Sequence, residues 1–438
     1  MYSREQVKAF TDKIFNMSGA TDIEVNFTSA ERSGTRFANS SISANLVQFD
    51  QQLTITTHIG NKSGSSNTRD FSDASLKTTF DEAIEAAKAA SERPSAPVLL
   101  GAQQYIPVDS ALPAARAFGP AERAKMVRTS IDISKKMGTV GSGFIPKTHQ
   151  TTCDANSKGL FAFEEVAEAS FILTCRMPDG SGSGWAGTTG IKDISMINPV
   201  EITEVASNKA LKSRNAKALE PGRYTVILEP RANARFLSLM TGIFGGGGGG
   251  GNFMSGKKPG DKIFSDLFTL KSDIGNPILR QSSILADNTP AAPATWVENG
   301  VLRNLSGGPN GTSPKANVNM SLHMVGSDLS TADMIKQTKR GLLVTFFWYI
   351  RGVPADNQPL LNTGMTRDGL FLIENGEITM PVQNFRWNMS PIVGYNNITL
   401  VGKSVPMHMG ESYDGAGTAL VPPVRIEDFY MTSISPAV

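Results

Sequence analysis

The chain has few of the residues from which metal and redox sites are built. Its 438 residues include two cysteines, Cys153 and Cys175, and four histidines that lie far apart in the sequence. Two cysteines without a C-x-x-C spacing exclude a disulfide framework and a cysteine-rich zinc site. The histidines form no local zinc motif such as H-E-x-x-H. We expect Cys153 and Cys175 to be buried hydrophobic residues, and His58 to be solvated on the polar side of its strand.

A long apolar run is also absent, and neither sign of charge is in excess. The most apolar stretch, residues 341–350 (GLLVTFFWYI), is about half of the ~18 residues that a membrane-spanning helix needs. Residues 1–15 carry charges throughout, unlike a secretory signal, so the expected location is the cytoplasm. Lys and Arg number 42 against 40 for Asp and Glu, which gives a net charge of +2. We therefore expect neither a membrane nor nucleic acid as the partner.

Recognised catalytic motifs are missing as well. No G-x-S-x-G nucleophile motif occurs, and the carboxylates are scattered. The last of the seven glycines at positions 245–251 begins a G-x-x-x-x-G-K match, but Lys258 stands where a phosphate-binding loop needs Ser or Thr. We interpret the glycine run as a loop without packed side chains and expect it to be mobile. Residue chemistry alone therefore predicts no active site, no metal and no cofactor.

Hydrophobic periodicity predicts helices and strands in alternation through the first half. Ser3 and Gln6 can form a capping box for a first helix, and Ser72 precedes a second. Further helices are expected over residues 120–137, 199–216 and 231–243. Strands are expected over residues 23–27, 53–59 and 224–228, and on both sides of a turn at 156–159. Residues 60–67 and 179–190, rich in glycine and serine, are expected to be a turn and a loop, and residues 91–97 a linker.

The second half of the sequence predicts mainly strands. Asn299 and Gly300, and again Asn375 and Gly376, stand between β-prone residues and indicate two tight hairpins. A shorter helix is expected over residues 331–339, with Ser330 as its cap. The predicted fold class is α+β. An N-terminal α/β domain over residues 1–217, with a linker between segments 1–95 and 115–217, precedes a β-rich, largely antiparallel C-terminal domain over residues 218–438.

Several segments of the chain share their order and rough spacing with one known family. They are residues 35–42 (TRFANSSI), 219–230 (LEPGRYTVILEP), 255–264 (SGKKPGDKIF), 338–344 (TKRGLLV), 371–378 (FLIENGEI) and 422–426 (PPVRI). Together they resemble the TldD/PmbA proteins, also called modulators of DNA gyrase, over nearly the whole chain. The resemblance rests on all six segments occurring in the same order.

The resemblance implies two kinds of subunit. TldD-type members bind zinc through an H-E-x-x-x-H helix and a cysteine near the C-terminus, whereas TldE/PmbA-type members lack these ligands and pair with a TldD-type subunit. Aligned on the strand that ends at Leu228, the motif falls on Ser238, Leu239 and Ile243, and residues 403–438 contain no cysteine. Zinc hydrolysis needs three protein ligands, a metal-bound water and a base, which these residues do not supply. We expect Leu239 and Ile243 to be buried in a packed helix instead.

The leading hypothesis is therefore a non-catalytic, TldE/PmbA-like subunit of a cytoplasmic zinc metallopeptidase complex that processes or degrades unfolded peptides. Its expected partner is a TldD-type zinc-bearing subunit in a heterodimer, or a second copy in a homodimer. Capture of the peptide by strand addition suits this role, because main-chain hydrogen bonds tolerate any sequence. Two alternatives stay open: a stand-alone peptidase with an unrecognised site, and a homodimeric peptide-binding or scaffold protein without a proteolytic role.

Overall fold

The computed structural model describes residues 1–244, 251–305, 316–355, 358–411 and 417–435. The glycines at positions 245–250, for which mobility is expected, lie outside these described residues. Helices and strands are both abundant, which confirms the predicted α+β class. No helix in the described ranges is both long enough and apolar enough to cross a membrane.

The strands of the first half form one antiparallel sheet, called the N-terminal sheet below. In chain order they are β1 (Asp22–Ala38), β2 (Ser41–Ile59), β3 (Lys62–Thr68), β4 (Val140–Asn156), β5 (Phe161–Arg176) and β6 (Ser183–Ile191). They lie side by side in the order β3-β2-β1-β4-β5-β6. Every neighbouring pair is antiparallel, and short turns join β1 to β2, β2 to β3, β4 to β5 and β5 to β6. Strand β4 instead follows a segment with three helices and returns to pair with β1.

Helices cover one face of the N-terminal sheet. They are α1 (Arg4–Phe15), α2 (Asp73–Ala89), α3 (Pro113–Ala117), α4 (Pro120–Lys136) and α5 (Pro199–Lys212). The capping box of Ser3 and Gln6 is present at the start of α1, as predicted. Alternate strand residues such as Phe27 and Phe171 form apolar clusters with these helices. The opposite face, which carries Trp185, joins the core of the second half, so the sheet separates the helices from that core.

The second half contains two further sheets. Its strands are β7 (Gly222–Leu228), β8 (Leu270–Ser272), β9 (Ala294–Glu298), β10 (Val301–Leu302), β11 (Leu322–Met324), β12 (Arg340–Gly352), β13 (Asn362–Glu374), β14 (Glu377–Pro381), β15 (Phe385–Met389), β16 (Ile398–Val401), β17 (Val405–His408), β18 (Thr418–Val421) and β19 (Val424–Ile434). One sheet has the order β10-β9-β8-β11-β18-β17, and the other has the order β12-β7-β19-β15-β13-β14 with β16 on β19. In the described part of the second half, β7 pairs with β12 and β11 with β18 in parallel, and the other strand pairs are antiparallel. The second half is therefore largely antiparallel, as predicted.

The second of these sheets closes on itself. Strand β12 pairs with both β7 and β13, so β12, β7, β19, β15 and β13 form a ring. Three short helices complete the half: α6 (Pro230–Ser238), α7 (Thr331–Lys336) and α8 (Pro391–Asn396). The ring centroid of Phe236 in α6 lies 5.4–6.3 Å from those of Phe347, Trp387, Tyr395 and Phe429. Helix α6 is thus fixed against the ring by aromatic packing.

Both predicted Asn-Gly hairpins are present, between β9 and β10 and between β13 and β14. Asn299 and Gly300 have φ of 49° and 73°, and Asn375 and Gly376 have φ of 51° and 84°. Two consecutive positive φ values are those of the type I′ turn, which glycine and asparagine tolerate. Ser330 caps α7 as predicted, here in a capping box with Asp333, although the helix ends at Lys336 and not at residue 339. The domain boundary between residues 217 and 218 stays a prediction.

Two glycine-rich stretches predicted as a turn and a loop are largely strands. Within residues 60–67 the chain reverses before Lys62 and then forms β3, and within 179–190 strand β6 begins at Ser183. A Cβ on Gly64 would lie 2.1 Å from the backbone nitrogen of Ala87 in α2. A Cβ on Gly184 would lie 2.4 Å from the carbonyl oxygen of Ala206 in α5. These glycines therefore mark close contacts between strand and helix rather than chain reversals.

Candidate functional site

The junction between β7 and α6 is built from a fully buried strand end. Val226, Ile227 and Leu228 are each at most 1% exposed, because β7 lies between β12 and β19. Pro230 then begins α6, where its fixed φ and missing N–H suit the first helical position. The Glu229 carboxylate accepts a 2.6 Å hydrogen bond from Lys209 Nζ of α5. This contact ties the start of α6 to a helix of the N-terminal half.

Helix α6 ends at Ser238, so the predicted helix over residues 231–243 is too long. After Ser238 the backbone N–H groups of Leu239, Met240 and Ile243 each donate to the carbonyl three residues earlier. This tighter pattern is that of a 3-10 turn, which covers Thr241–Phe244. Met240, Ile243 and Phe244 all lie in the core.

The three positions aligned with the zinc motif have structural roles here. The Ser238 hydroxyl donates to the Arg235 carbonyl at 2.7 Å and accepts from Arg235 Nη1 at 3.1 Å. Ile243 is 4% exposed in the main core, whereas Leu239 is half-buried at the helix end and only packs against that core. Burial of Ile243 agrees with the prediction, and that of Leu239 is less complete than expected. Ser238 engages Arg235, and Leu239 and Ile243 carry no donor atoms for a metal.

A buried arginine holds α6 to a distant segment. Arg231 is 1% exposed, and its guanidinium donates to the carbonyl oxygens of His408, Gly410 and Glu411 at 2.5–3.2 Å. The same guanidinium lies 4.7 Å from the ring centroid of Phe346, so the charge also meets an aromatic face. We call these contacts the Arg231 clamp. Residues 408–411 are thereby fixed beside α6.

Glu411 is a carboxylate beside α6, and basic groups surround it. Its side chain lies 3.5 Å from Arg235 Nη2 and 3.5 Å from Arg351 Nη1. It also accepts a 2.5 Å hydrogen bond from the backbone N–H of Tyr349. Two guanidinium groups and a backbone N–H thus face this carboxylate. A general base, by contrast, needs a free lone pair directed at the reacting proton.

A cavity of about 290 Å³, called the central groove below, lies between the N-terminal sheet and the second half. Its walls are mainly aromatic and apolar side chains, and Glu411 lies at its edge. The residues that line it include Phe144, Ile172, Trp185, Phe346, Trp348, Arg367, Asp368 and Glu411. Such apolar walls with a few polar groups are typical of sites that hold an organic ligand.

Asp368 is the buried acid of the central groove. It is 5% exposed, and burial raises the pKa of its carboxyl group above the ordinary aspartate value. Ser183 Oγ donates to it at 3.1 Å, and Arg367 Nε lies 3.5 Å away. The groove therefore contains a paired acid and aromatic walls. It can bind and orient a chain segment, but it does not offer a nucleophile with an adjacent base.

Within the described residues, no group of three histidine, cysteine, aspartate or glutamate side chains is arranged to hold a metal ion. The zinc ion that the family resemblance implies for TldD-type members therefore does not fit the residues at the end of α6. Ser238 is engaged by Arg235, and neither Leu239 nor Ile243 can be a ligand. We derive no reaction step through a metal.

The histidines and cysteines lie apart from the central groove, except His408, whose carbonyl belongs to the Arg231 clamp. His149 Nε2 contacts Glu165 at 2.8 Å, and His323 Nδ1 contacts Asp273 at 3.1 Å. His58 is not solvated as predicted: it is 3% exposed, between Ser63 and Glu24. Ser63 on the neighbouring strand and the Glu24 carboxylate each bond to one ring nitrogen. His58 can therefore be buried although it lies on the polar side of its strand.

Both cysteines are buried, as predicted. Burial raises the pKa of Cys153 to about 12, and it also raises the pKa of Cys175. Because the thiolate is the nucleophilic form, neither thiol is activated for attack. Sequence reasoning missed Arg231 and Glu411, since nothing in the local pattern distinguishes them. The aromatic run at residues 346–348 was the one available signal for the groove.

Residues 221–433 match the family model of the PmbA/TldA metallopeptidase C-terminal domain. Three solved structures have a similar fold. A candidate modulator of a DNA gyrase from Thermotoga maritima is 16% identical, with a TM-score of 0.77 over 97% of this chain and 99% of that chain. TldE from Thermococcus kodakarensis is 17% identical, with a TM-score of 0.75 over 98% and 99%. A candidate modulator of DNA gyrase from Bacteroides thetaiotaomicron is 17% identical, with a TM-score of 0.75 over 99% and 100%. No curated protein matches the chain.

Proposed function

The chain belongs to the metallopeptidase-related TldD/PmbA family, and we propose that it is a non-catalytic subunit of the TldE type. In this proposal it pairs with a TldD-type, zinc-bearing subunit in the cytoplasm and helps to hold unfolded peptide for that partner. The proposal rests on which residues occupy the three positions of the zinc motif. Ser238, Leu239 and Ile243 provide neither ligands nor a general base, and they are used for a helix end and a core.

The central groove supports the binding part of this role. It lies between the two halves of the chain, and its aromatic walls contact backbone and side chains without regard to sequence. Its charged groups are neutralised within the protein, since Glu411 is shared by Arg235 and Arg351. Such a groove favours a neutral, extended peptide segment over a charged small molecule, because a charge would have to be desolvated without a partner.

The test is a reconstitution with a TldD-type protein from the same source. The purified chain, the partner and their mixture are each assayed on an unstructured fluorogenic peptide, and zinc per chain is measured by elemental analysis. We expect no zinc and no turnover for the chain alone, a stable complex with the partner, and faster cleavage by the complex. The matched control is a partner in which the motif glutamate is replaced by glutamine. It should still form the complex but should not cleave.

Other results favour the alternatives. Zinc-independent or zinc-dependent turnover by the chain alone would support a stand-alone peptidase and overturn the proposal. A homodimer that neither binds a TldD-type protein nor changes its rate would support a peptide-binding or scaffold role. Light scattering at several protein concentrations separates the homodimer from the heterodimer.

A further inference from the structure

A second cavity, of about 760 Å³, shares no lining residue with the central groove. Its volume lies within the range of roughly 300–1,000 Å³ that is common for ligand pockets. We call it the edge slot. Linker residues 103–111, strand residues 161–165 and loop residues 282–284 line it, together with Arg4 and Arg116.

The slot lies along an unpaired part of strand β5. On that side β5 pairs with β6 only from Ala169 onward. Ala167 donates its backbone N–H to the Ser110 carbonyl at 2.9 Å, and the next contact is an isolated bridge between Gly101 and Gly159. Main-chain groups alternate in direction along a strand, so Phe161, Phe163 and Glu165 direct theirs to the same side as Ala167. Within the described residues no backbone partner occupies this stretch of edge.

The linker runs opposite the edge and is held there by the second half of the chain. Ser283 Oγ donates to the Ile106 carbonyl at 2.8 Å, and the Tyr105 hydroxyl donates to the Asn288 carbonyl at 2.7 Å. Ser110 Oγ donates to the Arg280 carbonyl at 2.6 Å. These bonds satisfy linker groups away from β5. The linker wall of the slot is therefore held in place by bonds that do not involve β5.

Glu164 gives the slot its charge preference. Burial raises the pKa of the Glu164 carboxyl group, although a hydrogen bond from Ser282 and the charge of Lys192 oppose the shift. No described residue forms an ion pair with Glu164, because Lys192 is paired with Glu168 at 2.7 Å. The neighbouring Glu165, by contrast, contacts Arg116 at 3.3 Å and His149 at 2.8 Å. A partly buried carboxylate that has no ion pair within the described residues favours an incoming cation.

We propose that the edge slot binds an extended peptide segment that adds as a strand to β5 and places a lysine or arginine side chain beside Glu164. Residues 161–165 present about five residues of edge, roughly 16 Å at about 3.3 Å per residue. Main-chain hydrogen bonds hold the segment, and Glu164 selects its basic residue. This site belongs to the chain itself and requires neither a zinc-bearing partner nor catalysis, so it stands apart from the proposed subunit role.

The first test measures fluorescence anisotropy of a labelled, capped peptide, Thr-Val-Lys-Val-Thr, with the full chain. A second peptide has methionine in place of lysine. We expect the lysine peptide to bind more tightly, and Glu164→Gln to weaken it about tenfold or more without changing the methionine peptide. Glu204→Gln, on the exposed side of α5, is the matched control and should leave both affinities unchanged.

The second test removes the edge donor. Phe163→Pro deletes one outward N–H, which an edge strand tolerates, while Phe163→Ala deletes the same ring but keeps the N–H. We expect the proline variant to lose binding of both peptides and the alanine variant to retain it, with thermal unfolding confirming that both are folded. Bound lysine peptide should also slow hydrogen exchange in residues 161–166. Absence of binding at millimolar peptide, equal affinities of Glu164→Gln and the unmodified chain, or protection confined to the central groove would each overturn the proposal.

Discussion

The central groove and the edge slot differ in how their polar groups are used. In the groove, Glu411 and Asp368 both have basic or hydroxyl partners, and the Arg231 clamp fixes one wall. In the slot, Glu164 has no ion pair within the described residues, and main-chain groups of β5 face a gap. The comparison teaches that an internally neutralised cavity favours apolar contacts, whereas an open strand edge with a lone carboxylate favours a basic peptide. Four predictions test the groove side of this contrast.

The largest effect is expected from loss of the Arg231 clamp. Arg231→Ala leaves three carbonyls without their donor, two of them buried and one half-buried, and each unsatisfied buried acceptor costs about 1–3 kcal/mol. We expect a loss of about 3–5 kcal/mol in the free energy of unfolding, measured with urea. Arg223→Ala is the control: Arg223 is exposed, and its loss should cost less than about 1 kcal/mol. Equal costs for the two variants would show that the wall beside α6 does not depend on the clamp.

The next effect separates two neighbouring apolar positions. Ile243 is 4% exposed, so Ile243→Ala should cost about 2–4 kcal/mol, as is usual for a core isoleucine. Leu239 is half-buried at the end of α6, so Leu239→Ala should cost about 1–2 kcal/mol. Thermal and urea unfolding of both variants measure the difference. If Leu239→Ala proves the more costly, the helix end is more tightly packed than its exposure indicates.

A smaller effect concerns pH. Because burial raises the pKa of Asp368, its native state prefers the protonated form. The contribution of Asp368 to the free energy of unfolding is complete below the aspartate pKa of the unfolded chain, about 3.9. This contribution is lost as the pH rises through the raised pKa of the native state. Asp368→Asn should therefore remove a decline in stability above about pH 4. Urea unfolding from acidic to neutral pH measures it.

Asp193 provides the control of opposite sign for that measurement. A hydrogen bond from the Ser195 hydroxyl, followed by one from the Ser195 backbone N–H, lowers the pKa of Asp193. Its contribution is present above the ordinary aspartate pKa and is lost as the pH falls through the lowered value. Asp193→Asn should thus lower the stability at neutral pH, and this difference from the unmodified chain should disappear as the pH falls through the lowered pKa. The same slope for both variants would contradict the role of burial at Asp368.

We expect no peptidase activity when the zinc motif is introduced by mutation. The triple variant Ser238→His, Leu239→Glu and Ile243→His still lacks a third ligand, since residues 403–438 contain no cysteine. It also lacks the outer hydrogen bonds that orient zinc ligands, and a histidine at position 243 would enter a packed core. The assay is peptide cleavage with added zinc. Zinc-dependent turnover would mean that the rest of a hydrolytic site was already in place.

Local sequence rules predicted most elements of the fold. The capping boxes at Ser3 and Ser330 and the two Asn-Gly hairpins depend on residues within a few positions of one another, so sequence alone reveals them. Gly64 and Gly184 misled the prediction because their function depends on helices elsewhere in the chain. A glycine that permits close packing and a glycine that permits a turn are identical in sequence.

The candidate site was predictable only in part. The strand before α6, on which the alignment was based, is present, whereas the assignment of the zinc-motif positions to Ser238, Leu239 and Ile243 stays a prediction. Arg231 meets the carbonyls of residues 408–411 only through the tertiary fold, and no local pattern anticipates such a contact. The same holds for Glu164 and Ser282, which the linker and the second half bring to one cavity.

The closed ring of strands also has a consequence for synthesis of the chain. In β7, Val226 lies opposite Leu342 on one side and Ile426 on the other, so both neighbours of β7 leave the ribosome long after it does. The N-terminal sheet, whose strands pair mostly with near neighbours, can form while β7 still has two open edges. Until β19 emerges, Phe236 and the apolar run of β12 lack their final partners. A nascent chain stalled before residue 424 therefore exposes the edge of β7 that β19 later covers, together with aromatic surface, and such surfaces are what chaperones and proteases act on.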